Sequence, residues 1–199
     1  MNVVSRGFQG RRGGDPSRVP PGQYETHDFP VLSAGPTPHV DTAEWTFAIA
    51  DETGGTRSWT WDEFLDLPQE RPRVDIHCVT RWSKLDTDWA GVSVDTLLED
   101  VETAAEYALA VSHGGYTANL PLQDLTDGQA WVVHSFGGEP LAPEHGGPAR
   151  LLVPHLYFWK SAKWVRRLIF TEEDDPGFWE QLGYHDRGDP WLEQRYQGD

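Results

Sequence analysis

The segment Val74-Asp75-Ile76-His77-Cys78-Val79-Thr80-Arg81-Trp82-Ser83 carries the sole cysteine of the 199-residue chain, where an apolar strand-like run gives way to polar residues. One thiol can form neither an internal disulfide nor a four-cysteine zinc site. Its chemistry is therefore single-handed: a thiolate nucleophile, or one soft ligand to a metal whose other ligands are not cysteines. The plain alternative is a small buried core residue.

Three further segments put imidazole or basic side chains at strand ends, where loops present such groups to ligands. They are Tyr24-Glu25-Thr26-His27-Asp28-Phe29-Pro30, Ser112-His113-Gly114-Gly115-Tyr116, and Glu144 to Pro154, the last continued by Trp159-Lys160-Ser161-Ala162-Lys163-Trp164-Val165. The chain holds 32 acidic and 16 basic residues, a formal charge of −16. Basic groups against that background point to an anionic ligand, while the whole-chain charge repels nucleic acid and anionic membranes. The acidic excess also suits solubility in a high-salt cytoplasm.

The elements that must position these groups are short. Residues 1–22 are rich in Gly, Pro and Arg without hydrophobic periodicity, and are expected to form an arm or strap; the domain proper is expected over 23–199. Glu44 to Ala50 alternates as a strand, Gly54-Gly55 turns the chain and Arg57 to Thr60 returns. Thr60 with Glu63 predicts a capping box, and Ser93 predicts the start of a second short helix. Val74–Val79, Tyr107–Ser112, Tyr116–Leu120, Trp131–Ser135, Arg150–Pro154 and Trp164–Phe170 read as strands. No steady strand-helix alternation is present, so an α+β fold of mixed β-sheets with short helices is expected. Phe178, Trp179 and Trp191 predict a C-terminal tail that wraps the core, since aromatic rings are costly to leave in water. Arg11-Arg12 is followed by no apolar signal core, and no segment approaches the ~20 apolar residues of a membrane span, so a soluble cytoplasmic protein is expected.

His77 to Ser83, then Trp89-Ala90-Gly91-Val92, then His145 to Pro154, then Lys160 to Val165 together resemble the molybdopterin-binding domain of the sulfite oxidase family. That family includes the bacterial methionine sulfoxide reductase catalytic subunits. The resemblance runs from about residue 23 to the C-terminus. It implies a molybdenum-molybdopterin cofactor, with two dithiolene sulfurs from the pterin and one thiolate from the protein, and Cys78 matches that thiolate. It further implies that Arg150 forks to the pterin phosphate, and that Lys163 with the backbone of Ser161 and Ala162 holds the phosphate or pterin edge. His113, His145, Tyr24, Glu25 and His27 match cofactor-contacting positions, and Arg81 is the candidate for the substrate face or for tuning the metal's charge.

The chain departs from sulfite oxidases at one telling point. Their substrate arginine, in an Arg-Asn-His-type stretch, is replaced by Thr26-His27-Asp28, and Asp28 would oppose a dianion. The expected reaction is therefore oxygen-atom transfer to or from a neutral oxide such as a sulfoxide or N-oxide. Electrons are expected from a separate carrier, because the sequence has no Cys-x-x-Cys-His haem motif. Two other readings remain open: a pterin-binding protein without turnover, and a hydrolase or peroxidase in which Cys78 is paired with His77 or His113. For His155 and His185 the residues alone suggest ordinary turn roles, and a solvated face is the plain alternative for Lys160 and Lys163.

Overall fold

The computed structural model describes residues 16–199, so most of the expected arm lies outside the described residues. Its strands, in chain order, are β1 (Tyr24–Glu25), β2 (Thr46–Ala50), β3 (Thr56–Thr60), β4 (Arg73–His77), β5 (Trp82–Ser93), β6 (Tyr107–Ser112), β7 (Thr117–Pro121), β8 (Trp131–Phe136), β9 (Glu139–Pro140), β10 (Arg150–Leu152) and β11 (Val165–Thr171). The α-helices are α1 (Trp61–Asp66) and α2 (Val94–Leu98). Both begin where the sequence predicted. Thr60 and Glu63 form a reciprocal capping box, and the Ser93 hydroxyl accepts from the Thr96 N–H.

One sheet runs β1-β5-β8-β10, with β4 beside β5 and β9 beside β8; the other runs β3-β2-β11-β6-β7. Both are mixed, since β1 pairs parallel with β5 and β11 pairs parallel with β2. Side-chain alternation sorts the first sheet's two faces. Val132 and Leu151 join Phe47, Phe64 and Leu168 in the core shared by both sheets. Trp131, Val133 and Leu152 join Ile76, Cys78, Trp82 and Phe158 in a second core on the opposite face. The candidate thiol thus stands on packed apolar ground.

β5 was not legible as a strand, yet it organises the first sheet. Its early half pairs with β4 and β1, and its later half passes to β8 across an irregularity between Ala90 and Gly91. At Gly91 a Cβ would lie 2.1 Å from the Val132 carbonyl oxygen and 2.5 Å from the Val133 Cα. Both are backbone atoms of β8 and cannot swing aside. Gly91→Ala is therefore expected to cost about 2–3 kcal/mol, lowering Tm by several degrees in calorimetry.

His134 on β8 supplies a pH-dependent term. Its Nε2 lies 3.0 Å from the Gln69 amide oxygen, and its ring packs edge-on to Trp61 and Phe64. Burial, then the Arg71 charge, holds its pKa below the ordinary histidine value. Below about pH 6.5 the unfolded chain binds a proton that the folded chain refuses, so stability is full above that pH and falls as pH drops beneath it. Melting curves between pH 7.5 and 5 should decline less steeply for His134→Gln than for wild type.

The segment before β1 is tied down. The Arg18 guanidinium pairs with Asp75 at 2.6 Å and Asp86 at 3.0 Å. Among the described residues, no helix is long and apolar enough to cross a membrane.

Candidate active site

β4 ends at His77, and Cys78 opens a tight turn back into β5. The Cys78 N–H donates to the Trp82 carbonyl (2.8 Å), and the Arg81 N–H donates to the Cys78 carbonyl (2.9 Å). Arg81 takes the left-handed conformation, φ 77°, that closes this turn. The turn is gripped from the side: the Gln23 amide donates to the Cys78 carbonyl (3.0 Å), and the Tyr24 N–H donates to the Arg81 carbonyl (2.9 Å).

The Cys78 thiol lines a cavity of about 510 Å³. Its sulfur is hydrogen bonded to the Thr80 hydroxyl at 3.1 Å. Burial pushes the thiol's pKa up, and hydrogen bonds from Thr80 with the Lys163 charge pull against that rise. His77 does not serve as its base. The His77 Nδ1 is engaged with the Ser83 hydroxyl at 2.8 Å, and burial lowers its pKa to about 4. Cys78's hydrogen bond to Thr80, with no histidine partner recorded for the sulfur among the described residues, leaves the hydrolase reading without its dyad.

Two cations stand on the same cavity lining. Arg150, only 1% exposed, donates to the carbonyls of His145 (2.7 Å) and Ser161 (2.6 Å), and its guanidinium lies 4.0 Å from the centre of the Phe158 ring. Lys163 donates to the carbonyls of Leu32 (2.7 Å) and Glu144 (2.6 Å). Burial pulls the Arg150 pKa down to about 9; burial and then Arg150 pull Lys163 to about 8. Both cations are thus held by neutral oxygens, and no Asp or Glu side chain is among the cavity's lining residues.

Among the described residues, three buried polar atoms on the lining have no protein partner: His113 Nε2, His145 Nδ1 and Trp82 Nε1. Buried donors and acceptors are rarely left so. Uncancelled positive charge, free ring nitrogens and one thiol suit a polar-edged anionic group that needs a single soft ligand.

The structure brings together Cys78, His113, His145, Arg150, Ser161 and Lys163 on this lining, and leaves the other candidates off it. Arg81 is exposed and off the cavity lining, and its backbone closes the turn. Tyr24 is 56% exposed, Glu25 lies in β1, and His27 is exposed with its carbonyl accepting from Lys84. Ala162 is buried and spends its N–H and carbonyl on Lys160 and Leu151. Asp28 is also exposed and off the cavity, which removes the carboxylate that was expected to repel a dianion. Lys160 is no surface residue; it is fully buried in an ion pair with Glu180 at 2.7 Å.

Two stretches of the lining were missed, residues 32–38 beyond the first sequence patch and residues 178–184 of the tail. Phe29 stacks on His145, with ring centres 3.9 Å apart, and leads the loop through Pro38 over the cavity. From the tail, Phe178, Trp179 and Tyr184 form another part of the wall. The tail was expected to bury its rings in the core. Instead Phe178 is 37% and Trp191 46% exposed. Aromatic density was the available signal, and it marked a cavity wall.

Two packed mixed sheets thus carry one cavity thiol beside two carbonyl-held cations. The sequence pattern of the family described as "oxidoreductase molybdopterin binding domain" matches residues 34–179. The chain is 42% identical over 192 residues to the uncharacterized oxidoreductase YuiH of Bacillus subtilis strain 168, covering 95% of this chain and 97% of that protein. It is 25% identical over 179 residues to the protein-methionine-sulfoxide reductase catalytic subunit MsrP of Pseudomonas syringae pv. tomato, covering 80% of this chain and 52% of that one. The sulfane dehydrogenase SoxCD structure from Paracoccus pantotrophus superposes with a TM-score of 0.62 at 19% identity, over 69% of this chain and 41% of that one, a likeness of fold. The chain belongs to the molybdopterin-binding oxidoreductase domain family. It is an oxidoreductase whose cofactor is molybdenum-molybdopterin.

Proposed function

We propose that the protein transfers an oxygen atom to or from a small neutral oxide, a sulfoxide or N-oxide, at a molybdenum bound by the Cys78 thiolate. The observation that carries this reading is the division of the cavity lining. Its cations, Arg150 and Lys163, stand on the thiol side, where the cofactor's anionic group would take them up, and the tail-derived wall of Phe178, Trp179 and Tyr184 offers no cation to a substrate. A dianion such as sulfite lacks a dedicated partner there.

The cofactor supplies two-electron redox chemistry at the metal, and the chain's residues bind and orient it. Arg150 and Lys163 would hold the phosphate and pterin edge by charge-assisted hydrogen bonds. His113 Nε2 and His145 Nδ1 would fill their empty partnerships on its polar edges. The Thr80 hydroxyl would temper the electron donation of the Cys78 sulfur. Electrons would come from a separate carrier protein.

The test uses protein purified from a host that makes molybdopterin, with reduced viologen as electron source. Neutral sulfoxides and N-oxides should reoxidise the dye. Faster turnover of nitrate than of any neutral oxide, or sulfite oxidation with an acceptor dye as the dominant activity, would defeat the reading.

A further inference from the structure

The cavity lining divides into two bonded groups. One contains the cations and free imidazole nitrogens already described. The other is a continuous aromatic series. Phe178 packs on Trp179 with ring centres 5.1 Å apart and on Tyr116 at 5.8 Å; Trp179 packs on Tyr184 at 4.9 Å, and Tyr184 on Trp159 at 5.3 Å.

This second group is fixed from behind by buried charge. A single oxygen, Glu180 Oε1, accepts from the Trp159 indole N–H at 2.7 Å and from the Lys160 ammonium at 2.7 Å, and both charged side chains are fully buried. Lys160 also donates to the Asn119 carbonyl at 2.7 Å and to the Asp186 carbonyl, so it ties two points of the tail to β7. Gly188 presses on the Trp159 ring so closely that a Cβ would lie 2.7 Å from it. A buried ion pair adds little net stability over apolar packing, but it specifies one geometry. The tail is therefore a set wall.

We infer that residues 178–184 form the specificity wall of the substrate side, and that they select neutral oxides bearing an aryl or similarly flat apolar substituent. The inference rests on the oxygen-transfer reading above. Phe178, 37% exposed, stands where an incoming ring meets the wall. Trp179 and Tyr184, tilted 37° to one another, give such a ring offset and edge contacts that a methyl group cannot make. Cys78 and Tyr184 line the same cavity, so a substituent on this wall belongs to a molecule that shares the cavity with the thiol.

Tryptophan fluorescence titration of the molybdenum-loaded protein, with methyl phenyl sulfoxide and dimethyl sulfoxide as probes, tests it. Wild type should bind the aryl probe at least about tenfold more tightly, and Phe178→Leu and Trp179→Leu should each lose most of that ratio. Phe178 is surface-accessible, so its variant remains informative if the Trp179 variant misfolds. The same ratio in wild type and the folded variants overturns the wall and leaves oxygen transfer standing. Folded wild type without molybdenum overturns the oxygen-transfer reading and the wall with it.

Discussion

Cys78→Ser is expected to leave a folded protein with the melting behaviour of wild type, and to lower turnover of any oxide by at least about 100-fold. Serine is close in size, and the thiol's hydrogen bond to the Thr80 hydroxyl can be remade by a hydroxyl. Hence the substitution removes the soft ligand and little else. Loss of outer partners of a metal ligand already costs about 10- to 100-fold, and loss of the ligand itself should exceed that. Inductively coupled plasma mass spectrometry beside an activity assay checks it: molybdenum should be lost, or retained in a redox-silent form. Iodoacetamide gives an independent view, since wild-type Cys78 should resist alkylation while loaded and react once the cofactor is stripped. A Cys78→Ser protein that keeps both molybdenum and turnover would refute the ligand assignment.

Arg150→Met is expected to reduce molybdenum content by at least about tenfold and to lower apo-protein stability by about 2–3 kcal/mol. Two effects oppose each other in the stability term. The carbonyls of His145 and Ser161 lose their donor, at about 1–3 kcal/mol for each buried group left unpaired. Removing a buried cation that has no carboxylate partner returns part of that. The cofactor term has no such offset, because an anion placed on this lining would lose its forked partner. Arg150→Lys should not restore loading, since one ammonium cannot span both carbonyls and a phosphate. Metal analysis and calorimetry on the same preparations separate the two effects.

What could be read from the chain follows the range of the interactions involved. The α1 capping box and the Ser93 cap lie within three residues of their partners, and so are written locally. The alternation of β6 and β7 is equally plain, because each has one consistently buried face. β5 was hidden because it changes partners midway and its pairing is interrupted twice, opposite Val74–Ile76 and at Ala90–Gly91, with Asp86 in the left-handed region (φ 53°), so no single alternation runs along its length. At the site, the motifs around Cys78, His145 and Lys163 converge on one cavity. Tyr24, Glu25 and His27 were drawn in by the family resemblance and Arg81 by its place just beyond Cys78; Tyr24 grips the cysteine turn and Arg81 closes it, both off the cavity lining. The loop 29–38 and the tail reach the cavity only through the three-dimensional path of the chain, and no local pattern records that path.

The two cations held by carbonyl oxygens give the molecule opposite electrical characters inside and out. Its exterior carries the field of a −16 chain, while the hollow beside Cys78 has positive charge that no lining carboxylate cancels. A small free anion approaching from solution meets long-range repulsion before it meets attraction, and its rate of entry rises as added salt shortens the reach of that outer field. A neutral molecule crosses the same distance with no such barrier, at a rate indifferent to ionic strength.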